Sequence, residues 1–487
     1  MSSMEKLFNY IKKAALTRRL SGRFHASGRF LWAVHGGALL LALFLTGCLG
    51  RTVPAERTAR AAVTAVAQQY RPGDARPALP HLSTNSPLSD FVLYGVLNHP
   101  SVAAAYYEWK ASVEKITTAR SLPDPRLTFQ SDVADTLMAL MPGLMMDFPG
   151  PGKLRAATAM AAAESDARYY AFESEMLMAA FAVHKAYYQL YFLQARISVM
   201  REMLRWVGDA ETLAQAQHQV GKVTLQDVLR AQIERHRLEA EIANLEDAQQ
   251  PLLAQFKAAL GLREQEAAPP MPAHFQTTPV ELSVEALLRE AEQRHPRLLA
   301  LAAEIRQAEA ALALARKGRI PDFNLGLEIN AYASPLVASP QAGLTLPIWK
   351  DKIAAELAAA QAWRQAAGAR LAREQIQLAV ELADRLFTVR EATRMMELFR
   401  GQLIPKARLS LEIGRENYRA GLVDYFNLAD AQRTLLEFHL AEVNARVERE
   451  LALAELSLLL AGRLPEGMPQ RPPGRPSETQ SPKSLNP

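Results

Sequence analysis

The chain has 487 residues, 49% of them hydrophobic and 22% charged, enough for two or three ordinary domains and too apolar to be disordered throughout. Its formal charge of +5 points to a nucleic-acid or membrane binder, but residues 1–47 carry seven Lys/Arg against Glu5, which leaves the remainder close to neutral and slightly acidic. A single cysteine excludes an intramolecular disulfide and any multi-cysteine metal site.

Residues 1–47 read as a lipoprotein signal peptide. A basic stretch precedes the apolar run "ALLLALFLTG", which is too short for a settled membrane helix. The run ends Leu45-Thr46-Gly47-Cys48, which resembles a bacterial lipoprotein cleavage box, small residues before a Cys whose thiol takes diacylglycerol. That acyl lipid on Cys48 is the only non-protein group expected; no cofactor or metal is. Leu49 stands where the inner-membrane retention signal of lipoproteins has Asp. The basic lead is unusually long, so the true translation start stays open. Residues 48–86 then form a lipidated N-terminal tail.

The rest repeats itself. Leu97–Pro100 (LNHP) pairs with Gln293–Pro296 (QRHP), and Leu122–Leu127 (LPDPRL) with Ile320–Leu325 (IPDFNL). Asp147–Ala157 (DFPGPGKLRAA) pairs with Thr345–Ala355 (TLPIWKDKIAA), and Val220–Gln232 (VGKVTLQDVLRAQ) with Ala420–Gln432 (AGLVDYFNLADAQ). Order and spacing are kept, with offsets growing from 196 to 200. This is a tandem duplication: a first repeat over 87–261, a proline-rich linker over 262–281, a second repeat over 282–462, and a Pro/Ser-rich disordered tail over 463–487.

Each repeat has one plan: a short helix, a His-Pro boundary, a second helix, two strands, a very long helix, a Gly corner and another long helix. No proline interrupts Lys153–Gln219, so one helix of about 100 Å is expected there. Alanine-rich faces such as "AATAMAAAESDAR" let helices pack closely, as in a coiled or α-barrel arrangement.

The strand pieces alternate. "RLTFQSDV" sets Leu127 and Phe129 opposite Thr128 and Gln130; "FNLGLEINAY" sets Phe323, Leu325, Leu327 and Ile329 opposite Asn324, Gly326 and Glu328. "LMMDF" keeps Leu144, Met146 and Phe148 on one side of Asp147, and "QAGLTLPI" puts Leu344 and Leu346 on an apolar face, with Trp349 at its end suited to an interfacial aromatic girdle. Such alternation suits a half-buried sheet or a lipid-facing barrel wall. Export and a lipid anchor favour the barrel. Four strands cannot close one, and open edges inside a bilayer leave backbone groups unsatisfied, so several chains must share the wall.

The ordered set of His-Pro, Pro-Asp before the strands, Pro-Gly-Lys after them and paired Gly corners resembles the TolC family of outer-membrane efflux channels, over roughly Pro87–Gly462. The Lys-containing turn is most similar to the heavy-metal branch (CusC- and CzcC-like). The resemblance implies a mostly α fold with a small β part: tandem helical hairpins forming a periplasmic α-barrel, and four strands contributing to a trimeric twelve-stranded transmembrane β-barrel. It implies a homotrimer in outer-membrane lipid of a Gram-negative-type bacterium, a periplasmic adaptor, an inner-membrane pump of the RND type, and no nucleic acid. Val220, Gly221, Lys222 and Val223, with Ala420, Gly421, Leu422 and Val423, would be adaptor-binding tips. Lys222 departs from the family's apolar residue at its place. Asp430, Asn427 and Asp227 fall on the periplasmic gate, with Asn427 where a second carboxylate would stand.

Other sites fail on spacing. "GPGKL" lacks the Gly and Ser/Thr of a phosphate loop. Met138, Met141, Met145 and Met146 fit lipid- or loop-facing filling better than soft-metal ligation. His99 and His295 read as helix-end residues before Pro, and no nucleophile elbow occurs, so no enzyme is expected. Two alternatives stay open: a soluble periplasmic coiled-coil scaffold, and a type I secretion channel.

Overall fold

The structure is a computed structural model that describes residues 52–70, 79–133, 137–267, 269–270, 289, 291–330 and 337–460. The signal segment, Cys48, most of the linker and the C-terminal tail lie outside the described residues. From residue 53 onward the chain forms one unit.

Helix α1 (Pro54–Tyr70) precedes the repeats and is fastened by charge. Two further helices follow, α2 (Leu88–Asn98) and α3 (Pro100–Arg120), divided where His99 caps α3 and accepts from the Ser101 N–H at 3.2 Å. Pro100 suits the first turn of α3, where its missing N–H has no intrahelical partner to lose. The carboxylate of Glu56, 1% exposed, accepts from Arg120 Nε at 2.5 Å, Thr117 Oγ1 at 2.7 Å and Arg60 Nε at 3.2 Å. Arg60 in turn donates to both oxygens of Glu114 on α3. A buried carboxylate left without these donors would be strongly unfavourable, so the cluster fixes α1 on α3.

Strands β1 (Arg126–Val133) and β2 (Leu137–Phe148) lead into α4 (Lys153–Gln219), a single helix of 67 residues that fills the proline-free stretch. After the first corner the chain returns as α5 (Leu225–Asp247) and α6 (Gln249–Ala259). One long returning helix was expected here; Pro251, which cannot donate in the ladder, lies at the break. The second repeat runs α7 (Pro296–Arg316), β3 (Phe323–Asn330), β4 (Val337–Leu344) and α8 (Lys350–Leu398). A π-helical turn over Phe399–Leu403 joins α8 to α9 (Ile404–Ala420), and α10 (Tyr425–Leu459) returns. Both length differences between the repeats have a place: a 3-10 turn at Lys317–Arg319 follows α7 but not α3, and the π turn, just before Pro405, lies between the strands and the second corner, the stretch over which the offset grows from 198 to 200.

The helices pack side by side, α4 against α3, α7, α10 and α5, and α8 against α7 and α10. The first repeat holds the larger core, built on aromatic rings: Trp109 stacks on Phe172 with centroids 5.9 Å apart, and Tyr70 and Tyr106 close on the same ring. Its counterpart in the second repeat is aliphatic, around Leu298, Leu378, Leu382, Leu386 and Leu456.

The four strands form one antiparallel sheet in the order β1-β2-β3-β4, so β1 and β4 are its open edges within the chain. Register places Leu127 against Leu144, Leu144 against Leu327, and Leu325 between Met146 and Ala342. These residues share one face by the period of two. All eight residues expected to face lipid, Leu127, Phe129, Phe323, Leu325, Leu327, Ile329, Leu344 and Leu346, are exposed. Leu346 lies two residues beyond β4, which begins and ends earlier than expected, so Trp349 precedes α8 rather than ending a strand. β2 extends upstream through Pro142, opposite Phe129. Met141 and Met145 pair with Gln130 and Arg126 on the polar face, which corrects the expectation of lipid- or loop-facing filling for these two. On that face Glu328, 7% exposed, accepts from Gln341 Nε2, and Arg126 donates to Asp147 at 2.5 Å.

Two outcomes test this arrangement. Leu327→Asp should prevent assembly into membrane, since a charge facing hydrocarbon costs up to a few kcal/mol, while Gln130→Asp on the opposite face should assemble; yield of membrane-inserted protein decides. Burial pushes the Glu56 carboxyl up, but its bonds to Arg120, Thr117 and Arg60 outweigh this and hold it below 4.5. The stability it contributes is therefore present above 4.5 and lost as pH falls through the lower folded value. Limited proteolysis should release α1 only at acid pH, and at neutral pH in Glu56→Ala.

Candidate functional site

The junction between sheet and helices is organised by Asp322, just before β3. Its Oδ1 accepts from the Gly150 N–H at 2.6 Å, in the turn after β2, and from Lys153 Nζ at 2.7 Å, at the start of α4. Its own N–H donates to Thr345 Oγ1 at 2.8 Å, and its carbonyl accepts from the Thr345 N–H at 2.9 Å, just after β4. Burial raises the Asp322 carboxyl, and the Lys153 and Gly150 bonds more than offset it, so its pKa lies below the usual aspartate value. Gly150 is required here: a Cβ would come within 2.5 Å of the Pro321 carbonyl oxygen. Three of the recurring sequence pieces thus meet at one residue, the turn after β2 on its carboxylate and Thr345 on its backbone. Local pattern does not reveal the carboxylate's partners, because Gly150 and Lys153 lie in the other repeat.

The opposite ends of the rods are the two corners. Gly221 and Gly421 have φ of 68° and 78°, the left-handed region that costs any residue with a Cβ. At the first, the Lys222 N–H reaches the Gln217 carbonyl at 2.9 Å and the Gly221 N–H reaches His218 at 3.0 Å. At the second, Leu422 and Gly421 do the same to Asn417 and Tyr418, at 2.8 and 3.0 Å. This pair of bonds satisfies carbonyls that the ending helix leaves free. The next helix is capped at once: Thr224 and Asp227 form a capping box, and Asp424 accepts from the Asn427 N–H at 3.1 Å. The chain therefore reverses within five residues and presents its corner bare. Val220 is 68% exposed and Leu422 74%; Ala420 and Lys222 are also exposed, while Val223 and Val423 turn partly inward against the cluster below.

That cluster ties the hairpins together. Tyr418 and Tyr425 pack edge to face at 6.1 Å beside Ala210, Ala231, Leu411 and Leu428. Gln217 Nε2 crosses from the first hairpin to the Tyr418 carbonyl at 3.1 Å, and Arg415 crosses to Asp209 at 3.2 Å. Burial, with Glu234 and other nearby charge, pushes the Tyr425 hydroxyl up to about 12, so it stays neutral.

The three expected gate residues separate in role. Asp227 accepts from Thr224 Oγ1 at 2.8 Å and from its N–H at 3.2 Å as part of the cap. Asn427 donates from Nδ2 to Asp424 at 2.8 Å. Asp430 is exposed, one turn along α10, with no hydrogen-bond or ion-pair partner among the described residues. Asp424 itself was overlooked, although Asp-x-x-Asn at a helix start is a readable cap signal. The described residues contain no cluster fit for a metal ion and no helix long and apolar enough to cross a membrane.

Since nothing lies within 4 Å of a Cβ built at either corner Gly, only backbone strain opposes substitution. Gly221→Ala and Gly421→Ala should each lower stability by about 1 kcal/mol without disturbing the core, as thermal unfolding would read.

Comparison with known proteins agrees with this geometry. A family model described as outer membrane efflux protein matches residues 96–262 and again 287–462, once per repeat. No curated protein matches the chain in sequence. Among solved structures, the outer membrane protein VceC from Vibrio cholerae is 20% identical with a TM-score of 0.67, covering 77% of this chain and 96% of its own. A membrane protein from Pseudomonas aeruginosa is 19% identical with a TM-score of 0.70, covering 80% and 97%. CusC is 15% identical with a TM-score of 0.68, covering 80% and 99%. The scores are alike, so CusC and its heavy-metal branch are not singled out. With both repeats matched, the chain belongs to the outer membrane efflux protein family, whose members are transport channels and not enzymes.

Proposed function

We propose that this protein is the exit duct of a tripartite efflux pump, a lipid-anchored trimer that passes substrate from periplasm to exterior. The observation that carries the reading is the four-stranded sheet, with one face apolar and exposed, both edges unpaired among the described residues, and a helix about 100 Å long, α4, following it. A soluble scaffold would cover that face. A bilayer covers it once three sheets close into twelve strands, a number large enough to leave a lumen for the polar face.

The duct is passive, and energy comes from an inner-membrane pump of the RND type. A periplasmic adaptor docks on the bare corners: Val220, Gly221 and Val223 with Lys222, whose stem can lie along an apolar partner, and Ala420, Gly421, Leu422 and Val423. Cys48 carries the acyl anchor. The clamp of α1 against the strand-proximal end of α3 fits this, because α1 begins six residues after Cys48 and a tether that short reaches at most about 20 Å. The cargo includes heavy-metal ions if the resemblance of the Lys-containing turn to the metal branch extends to function. Asp430 supplies the gate charge, repeated by the three-fold axis into a ring, and Asn427 leaves the neighbouring ring neutral. Asp227, in the cap of α5, supplies the acidic position of the first repeat.

Several carboxylates acting on one ion in a confined space attract multivalent cations most strongly. In planar bilayers the channel should be cation-selective and blocked from the periplasmic side by trivalent cations, and Asp430→Ala should relieve the block several-fold without changing trimer yield. Unchanged block in that variant would move the gate to Asp227. Cys48→Ala should abolish acylation, read by mass spectrometry, while trimers still form; accumulation of unfolded material instead would give the anchor a role in assembly.

A further inference from the structure

The two repeats meet inside one chain, and that junction has a defined register and a defined polar clasp. In a closed ring of chains the second repeat of each must meet the first repeat of the next, with the same kinds of surface. We infer that the seam between subunits copies the register of the junction between repeats, with Asp124 in the place of Asp322 and Lys350, one residue before the strict offset, in the place of Lys153. The inference rests on the assembled-channel reading above.

The junction pairs β2 with β3 from Gly143 opposite Glu328 to Phe148 opposite Phe323. Moved by the repeat offset of 198 residues, it pairs Leu344 with the partner subunit's Leu127, Ala342 with the partner subunit's Phe129, and Leu346 with the partner subunit's Pro125. Every apolar residue then keeps the lipid face. The segment after β4 also acquires a neighbour, which accounts for Leu346 at 67% and Ile348 at 63% exposure in the lone chain.

The clasp follows the same rule. Asp322 is held by the Gly150 N–H and by Lys153, the first residue of α4. Asp124 precedes β1 as Asp322 precedes β3, is exposed, and has no partner among the described residues. Ile348 stands where Gly150 does, and α8 likewise opens on a lysine, Lys350, which is exposed and unpaired. Asp351, the residue at strict offset from Lys153, has the wrong charge; the turn after Pro347 is one residue shorter, which brings Lys350 to the helix start instead. The partner subunit's Asp124 thus receives the Lys350 ammonium, while the Ile348 N–H, unlike that of Gly150, donates to the Leu346 carbonyl of its own chain at 2.9 Å.

Oxidative cross-linking of membranes carrying Leu127→Cys with Leu344→Cys tests the register. Opposed Cα atoms in a sheet are close enough for a disulfide. Dimers and trimers reversible by thiol are expected, absent from either single variant and at least about tenfold weaker for Leu127→Cys with Ala342→Cys, a register slip of two. Equal cross-linking of the slipped pair, or none in protein that still runs as a native trimer, overturns the register. Asp124→Lys and Lys350→Asp should each abolish detergent-resistant trimers, and the two together should restore them. Trimers indifferent to both single changes overturn the clasp. If the unmodified protein forms no oligomer with a chemical cross-linker, the channel reading itself fails, a separate outcome.

Discussion

A backbone amide or carbonyl inside hydrocarbon has no water to bind, and each one left unpaired costs several kcal/mol. The sheet of this chain meets that constraint only in part. Its two inner strands are paired on both sides, while β1 and β4 each offer one unpaired edge. The apolar face gives the sheet a reason to enter a bilayer, and the open edges make a single chain unfit to stay there. Much else in the molecule serves to bring those edges to their partners at one height and one angle. Asp322 ties together the turn after β2 through its carboxylate and the residue after β4 through its backbone, at the start of β3. The rods below then start from a fixed level.

The far end works under the opposite condition. There water is plentiful, and the problem is to reverse a long helix without unravelling it. Both corners use a left-handed Gly, two backbone bonds to the ending helix and a side-chain cap on the next. Because the capping is local, no covering element is needed, and apolar residues such as Val220 and Leu422 remain bare. Bare apolar groups at rigid corners are economical docking points, since little entropy is lost on contact.

Much of this was legible in the sequence, for identifiable reasons. The bounds of α4 follow from proline spacing, and β1 and β3 from strict alternation. Where proline enters a strand the signal fails: Pro142 and Pro340 lack the N–H that marks a ladder, so β2 was read short and β4 was placed too far along. The break between α5 and α6 was missed although Pro251 announces it. The Asp322 carboxylate bonds and the Gln217 bridge are out of reach, because they join residues 169 to 201 positions apart that share no local periodicity.

The π turn at Phe399–Leu403 has a consequence for how such a duplicated chain ages. Each residue added to an α-helix rotates everything beyond it by about 100°, so two additions would swing a buried stripe out to solvent. Yet burial keeps its phase at several positions on both sides of the turn: Ala367, Glu374 and Leu378 match Tyr169, Met176 and Ala180 before it, and Ala407 and Leu411 match Val207 and Glu211 after it, while buried Ala392 and Tyr418 fall on exposed Gln194 and His218. A wider turn adds length with less rotation per residue than α-winding, so it limits that swing. Extra length in this rod thus sits where the winding is relaxed, whereas an insertion in the regular α-helix would rotate the buried stripe by the full amount for each residue.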